Sequence, residues 1–208
     1  KLVESDWSSA SYYFSIVSLS EKASVSLKNF NLKSLQGDSI LVNLYKKLGV
    51  DTSFKGSEIK ISKIPKFIYP KHISLNLQDT PDIAQTIAVS CFGLGINCKL
   101  TGLKTLKIKE TDRLAALKKE LEKVGAKVNI TKESINVSSI NSINKNIKID
   151  TYNDHRMAMA FAPLGLKSRI YIDNPEIVSK SYPEFWNHLT DIGFKVERDV
   201  NFKAISLT

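Results

Sequence analysis

Hydrophobic residues fall along this chain in two alternating kinds of helix-length segment. One kind is apolar nearly all round: SSASYYFSIVSLS after Trp7, IAQTIAVSCFGLG after Asp82 and RMAMAFAPLGL after His155. The other is two-faced, as in RLAALKKELEKVG, where Leu114, Leu117, Leu121 and Val124 form a stripe opposite lysines. A helix apolar on every side must be surrounded by protein, whereas a striped one can cover it. The first set is therefore predicted to be core and the second set outer.

Each outer segment ends in the same way: YKKLGVDTSFKGSEIKIS from Tyr45, LEKVGAKVNITKESINVS from Leu121 and LTDIGFKVERDVNFKAIS from Leu189. Each reads as a last helical turn, a glycine (Gly49, Gly125, Gly193) suited to a left-handed cap, and two short strands joined by a polar turn. Placing a short strand before each core helix gives three βαβαββ units, approximately residues 1–65, 71–140 and 147–208. The repeat is longer than the roughly 20–50 residues of solenoids. The expected architecture is α/β (α+β): one pseudo-threefold domain with three buried parallel helices. Repeated connections of one hand point those helices the same way, so their N-termini share a face. Unpaired N–H groups and partial positive charge gather there, which suits phosphate or carboxylate.

Composition narrows the picture. With 42% hydrophobic residues the chain can build a real core, and it has no apolar run long enough to cross a membrane. The net charge of +9 invites nucleic acid, but the lysines are dispersed and no aromatic stacking platform accompanies them, so neither nucleic acid nor membrane is expected as a partner. Cys91 and Cys98 make neither a disulfide framework nor a metal-type set. No metal and no cofactor are expected, and a reducing compartment, the cytoplasm, is. The opening KLVESDW has neither an initiator Met nor a signal-peptide pattern, which predicts a fragment or a processed chain.

Two clusters could carry chemistry. In TYNDHRMAMAFAPLGL, Asp154, His155 and Arg156 stand at the entrance of a core helix. In KIKETDRLAALKKELEKVGA, Thr111 or Asp112 can cap the outer helix. Capping leaves Lys109, Glu110 and Arg113 unexplained, because a cation at a helix N-terminus is unfavourable unless an anion sits beside it. Only four of the 30 basic residues are Arg, and two of them, Arg113 and Arg156, lie in these clusters. The planar guanidinium fork binds carboxylate or phosphate in a bidentate way. Lys180, in IVSKSYPEFW, occupies the loop of the third unit that corresponds to Lys109 and Glu110 in the second. Asp82 begins the core helix of unit two as Asp154 does that of unit three; capping accounts for Asp154. His155 is read as an oriented hydrogen-bond donor, whereas His72, His188, Arg169 and Arg198 read as surface residues.

Taken together, VESDWSSASYYF, LQGDSILVNLYKKLG, TPDIAQTIA, KIKETDRLAALKKELEKVGA, YNDHRMAMAF and SKSYPEFW closely resemble the C-terminal domain of the EPSP synthase family. These are the 3-phosphoshikimate 1-carboxyvinyltransferases of the shikimate pathway, which serves chorismate and aromatic amino acid biosynthesis. The resemblance implies half of a two-domain transferase with six βαβαββ units and an active site between the domains. It implies phosphoenolpyruvate and shikimate 3-phosphate as substrates, glyphosate as inhibitor, and an N-terminal domain of the same protein as partner.

Carried over by position, the resemblance makes Asp82 the acceptor of the hydroxyl proton and Glu110 the group exchanging protons at C3. Lys109 becomes a contact to shikimate 3-phosphate; Arg113, Arg156 and Lys180 become the phosphoenolpyruvate clamp. His155 supports the phosphate or Glu110. Cations crowding Asp82 are expected to keep it ionised. Thr105 stands where the family commonly places a substrate-touching Asn, and Ser5 and Trp7 where it has small residues. The chain alone is expected to fold without turnover. Rival readings are a UDP-sugar enolpyruvyl transferase, which would not be expected to carry KETDR, an RNA-binding repeat module, and a degenerate domain with an interaction role.

Overall fold

The computed structural model describes residues 3–138, 142–201 and 204–208. The expected unit boundary at residue 140 lies outside them. Unit one holds helix α1 (Trp7–Leu19), strand β1 (Ser24–Lys28), helix α2 (Leu41–Lys46) and the hairpin β2 (Val50–Lys55) and β3 (Glu58–Lys63). Unit two runs β4 (His72–Asn76), α3 (Ala84–Gly93), β5 (Asn97–Thr101), α4 (Arg113–Lys123), β6 (Lys127–Ile130) and β7 (Ile135–Ser138). Unit three repeats it as β8 (Ile147–Ile149), α5 (His155–Phe161), β9 (Ile170–Asp173), α6 (Phe185–Asp191), β10 (Val196–Asp199) and β11 (Ala204–Leu207).

The sheets of units two and three share one order, β4-β5-β7-β6 and β8-β9-β11-β10, with the first pair parallel and the others antiparallel. Unit one departs from the expected pattern. Its sheet is β1-β3-β2, and residues 3–6, where a first strand was expected, are irregular. The cause is local. Glu4 accepts from the Trp7 indole N–H, the Asn31 amide and the Ser34 hydroxyl, which pulls the chain off the edge of β1. His72, read as a surface residue, is the exposed first residue of β4.

The three core helices pack side by side and point the same way. Ser11 of α1 meets Thr86 of α3 at 3.1 Å, and Ser15 meets Ser90 four residues further along both helices at 2.8 Å. At the far end Leu19 and Leu164 both crowd Gly93, where an added Cβ would lie 2.6 and 2.9 Å from them. Small Ser, Ala and Gly residues at these seams allow the close approach, and paired hydroxyls satisfy one another in a dry interior. Every residue of α1 except Ser9 is buried, as are Ala84 to Phe92 and Met157 to Phe161. The outer helix α4 lays Leu114, Leu117, Leu121 and Val124 on this core, all fully enclosed. Truncating such a side chain to Ala typically costs about 2–5 kcal/mol.

Gly49, Gly125 and Gly193 follow their helices with φ of 79°, 109° and 105°, the left-handed cap that turns each outer helix into its hairpin. Trp7 belongs to the core: it is 1% exposed and meets Phe30 edge-on at 5.0 Å.

Candidate active site

The N-terminal ends of α3, α4 and α5 bring the two sequence clusters together. Asp82 sits in a one-turn 3-10 segment, Pro81–Ile83, just ahead of α3, and caps nothing. Its carboxylate instead faces Arg113 at 3.1 Å, Arg156 at 3.2 Å and Lys109 at 3.4 Å. Burial alone would raise this carboxyl, but Arg156, Lys109 and Arg113 outweigh it and hold Asp82 below the ordinary value of 3.8. Asp82 therefore rests as an anion in a ring of cations.

Arg113 is the first residue of α4, and its side chain is 1% exposed. Its guanidinium spends its donors on three carboxylates: Asp154 at 2.6 and 3.3 Å, Asp82 at 3.1 Å and Glu110 at 2.5 Å. Asp154 is wholly enclosed, and one of its oxygens also accepts from the Arg156 amide, capping α5. Capping and pairing are thus one function of a single side chain. Asp112 caps α4 through the Ala115 amide.

Arg156 is held over Asp82 by its guanidinium, and the carboxylates of Asp82, Asp6 and Asp38 offset the cost of its burial. The sequence clusters did not include Asp38. It sits in the turn of unit one that corresponds to the Lys109 and Lys180 loops, bonded to the Ser8 hydroxyl, and burial raises its carboxyl. Its one signal in the sequence was its position in the repeat.

His155 is half-buried beside this cluster. Burial lowers its pKa below 6.5, with Asp154, Arg156, Glu110 and Arg113 within electrostatic reach. Its Nδ1 is enclosed without a hydrogen-bond partner among the described residues. The turn before it is unusual: Tyr152 and Asn153 both have left-handed backbones, φ 54° and 56°. A bulky Tyr in that conformation needs an anchor. Tyr152 donates to Glu120 at 2.6 Å, and Glu120, buried on α4, also accepts from the Asp150 amide and pairs with Lys123. The helix that supplies Arg113 thus also sets the entrance of α5.

Two expected site residues stand apart. Lys180 is exposed at the end of the turn Pro175–Lys180, which packs against α5, and makes no ion pair among the described residues. Thr105 is exposed on the turn Lys104–Ile108, which packs against the Asp82 turn. Cys91 and Cys98 are free and buried, and no group of metal ligands occurs among the described residues.

Residues 1–189 match the family model described as EPSP synthase (3-phosphoshikimate 1-carboxyvinyltransferase). The chain belongs to the EPSP synthase family. A 3-phosphoshikimate 1-carboxyvinyltransferase of Bacteroides fragilis is 41% identical over 198 residues, covering 94% of this chain and 48% of that protein. A Methanobrevibacter smithii enzyme of the same name is 34% identical over 196 residues, covering 94% and 43%. The chain spans about half the length of these EPSP synthase relatives. An EPSP synthase structure from Acinetobacter baumannii superposes with TM-score 0.73 at 23% identity, over 91% of this chain and 46% of that one. The enolpyruvyl transferase NikO from Streptomyces tendae superposes with TM-score 0.61 at 10% identity, covering 98% and 46%. Both likenesses, at under 25% identity, concern the fold alone.

Proposed function

We propose that this chain forms one half of a transferase that moves the enolpyruvyl group of phosphoenolpyruvate onto the 5-hydroxyl of shikimate 3-phosphate and releases phosphate. The observation that carries this reading is the meeting of Asp82, Lys109, Glu110, Arg113 and Arg156 at the shared N-terminal face. Addition needs a base for the hydroxyl proton and an acid for C3 of phosphoenolpyruvate. The 5-oxygen attacks C2 while C3 gains a proton. Elimination then removes phosphate and a C3 proton, restoring the vinyl group.

Asp82 is the base. At rest its cations hold it too acidic to take a proton readily; anionic substrates that draw Arg156 and Lys109 to themselves raise its proton affinity. Glu110 exchanges protons at C3, and Arg113 fixes its carboxylate from below. Since Arg113 is committed to three carboxylates, Arg156, Lys109 and the exposed Lys180 offer the first contacts to carboxylate and phosphate, and Arg113 joins when a substrate anion displaces one partner. His155, neutral at pH 7, donates a hydrogen bond to the leaving phosphate or to Glu110. The rest of the protein closes over this face, excludes water and supplies further contacts.

The test is complementation. The chain is combined with a separately produced N-terminal half of a family member, and phosphate release from the two substrates is followed. Turnover by the mixture and none by either half supports the reading. Turnover by this chain alone, or none by a mixture that forms a stable complex, refutes it.

A further inference from the structure

At the end of the core helices opposite the candidate active site, a cavity of about 390 Å³ opens between the last residues of α1, α3 and β3 and Lys167 of unit three. Its charged lining is one-sided. Lys63, the last residue of β3, is half-buried, and the exposed Lys66 and Lys167 join it against one exposed carboxylate, Glu21. None of the three lysines makes an ion pair among the described residues.

The Lys63 Nζ donates to the Ser18 carbonyl, which is left free at the end of α1, and to the Tyr69 hydroxyl, and it lies 5.1 Å from the centre of the Tyr69 ring. With Cε, these two contacts take three of the nitrogen's four tetrahedral directions. The fourth holds the third proton of the ammonium or the lone pair of the amine. Ser18 lines the same cavity, and its hydroxyl is enclosed without a hydrogen-bond partner among the described residues. Attack on a carbonyl that carries a phosphate leaving group needs a nucleophile, a donor for the developing oxyanion and positive charge for the phosphate. The cavity offers one of each.

We infer that Lys63 is an acylation site, where the amine takes the acyl group of a small acyl phosphate. Nζ attacks the carbonyl carbon, the bond from that carbon to the phosphate oxygen breaks, and the proton lost by nitrogen leaves with the phosphate as hydrogen phosphate. The product is a neutral amide whose remaining N–H can still donate to Ser18 O. The Ser18 hydroxyl donates to the carbonyl oxygen as it gains charge, Lys66 and Lys167 neutralise the departing phosphate, and Leu19 and Phe67 give the acyl group an apolar wall. Burial and the neighbouring Lys167 push the Lys63 amine down to about 8. About one such amine in ten is then neutral at pH 7, against roughly one in 2,500 for an ordinary lysine. Lower basicity weakens the nucleophile and takes back part of that gain, as it does for thiolates. The inference stands independently of the catalytic reading.

Acetyl phosphate is the probe. The chain is treated at about pH 7 to low conversion, the remaining amines are capped with isotope-labelled acetic anhydride after unfolding, and peptide mass spectrometry reads the fraction acetylated at each lysine. Lys63 is expected to react about tenfold or more faster than the median lysine, an advantage lost in urea and shrinking toward about pH 10 as the other amines lose their protons. Ser18→Ala, which removes an unpaired hydroxyl, and Lys167→Met, at an exposed position, are each expected to reduce the advantage several-fold. Reaction at Lys63 no faster than at the median lysine overturns the inference. So does an advantage that persists in urea, or one unchanged in either variant.

Discussion

Replacing Arg113 by Met tests the buried charge cluster. Of its three carboxylate partners, Asp82 and Glu110 have side chains 30% and 41% exposed and can turn to water, whereas Asp154 is 0% exposed. The penalty therefore concentrates on Asp154, left with the Arg156 amide as its remaining hydrogen-bond donor among the described residues. Removing one partner of a buried ion pair costs about 3–5 kcal/mol, a large share of the roughly 5–15 kcal/mol that holds a domain folded. For a chain of this size each kcal/mol lowers Tm by about 2–4 °C, so a drop of roughly 6–20 °C is expected. Urea and thermal melts of the wild type, Arg113→Met, Asp154→Asn and the double variant complete a cycle. Asn keeps the capping acceptor without the charge, so the double variant should recover at least about 1 kcal/mol over Arg113→Met. A loss below about 1 kcal/mol for Arg113→Met, or additive losses in the double variant, would refute the reasoning.

Other consequences follow from single features. Glu120→Ala strands the Tyr152 hydroxyl, the Asp150 amide and Lys123, and is expected to cost roughly 2–3 kcal/mol while shifting the amide resonances of Asn153 to Arg156; unshifted resonances would separate Glu120 from the site. Gly102→Ala puts a Cβ 2.4 Å from Asn76 Oδ1 and 2.5 Å from the Gln78 amide at φ +77°, so a loss of about 2 kcal/mol or more is expected in melts, and a neutral result would mean the turn rearranges freely. Acidification should destabilise the chain: burial sets the folded pKa of His155 below 6.5, so the unfolded state binds the proton first and stability falls as pH drops from the unfolded value through the folded one. His155→Gln should flatten urea-melt stability between about pH 7 and pH 5, and an unchanged slope would contradict this. Lys63, desolvated and close to Lys167, is pushed down to about 8, so a nuclear magnetic resonance titration should find one lysine amine titrating well below the rest, lost in Lys63→Met.

The alternation of all-apolar and striped helices was legible because each kind follows from what surrounds a helix, and the cap glycines because few residues besides Gly adopt φ near +80 to +110° cheaply. The convergence of the two charged clusters followed from repeat position, since like connections return to like places. Arg113 was legible as a site residue but not as a buried one: it precedes the Leu114 stripe, and what encloses it is the Asp82 turn and α5, brought in from elsewhere in the chain. Glu120 carries a readable signal, an acid between Leu117 and Leu121 on the inward face of α4. The left-handed pair Tyr152 and Asn153 had none, because Tyr does not favour that conformation and is held there by Glu120. The missing first strand of unit one escaped for the same reason. VESD alternates too briefly to decide, and hydrogen bonds to Glu4 settle the path.

A titration of the ¹⁵N-labelled chain with phosphoenolpyruvate addresses the central claim most directly, since it asks which face receives the anion. Saturable shifts confined to the amides around Asp82, Lys109 to Arg113 and His155 to Met157, and abolished by Arg156→Gln, are the expected result. Shifts centred at the opposite end of the core helices, near Lys63 and Lys167, or shifts that survive Arg156→Gln unchanged, would contradict it.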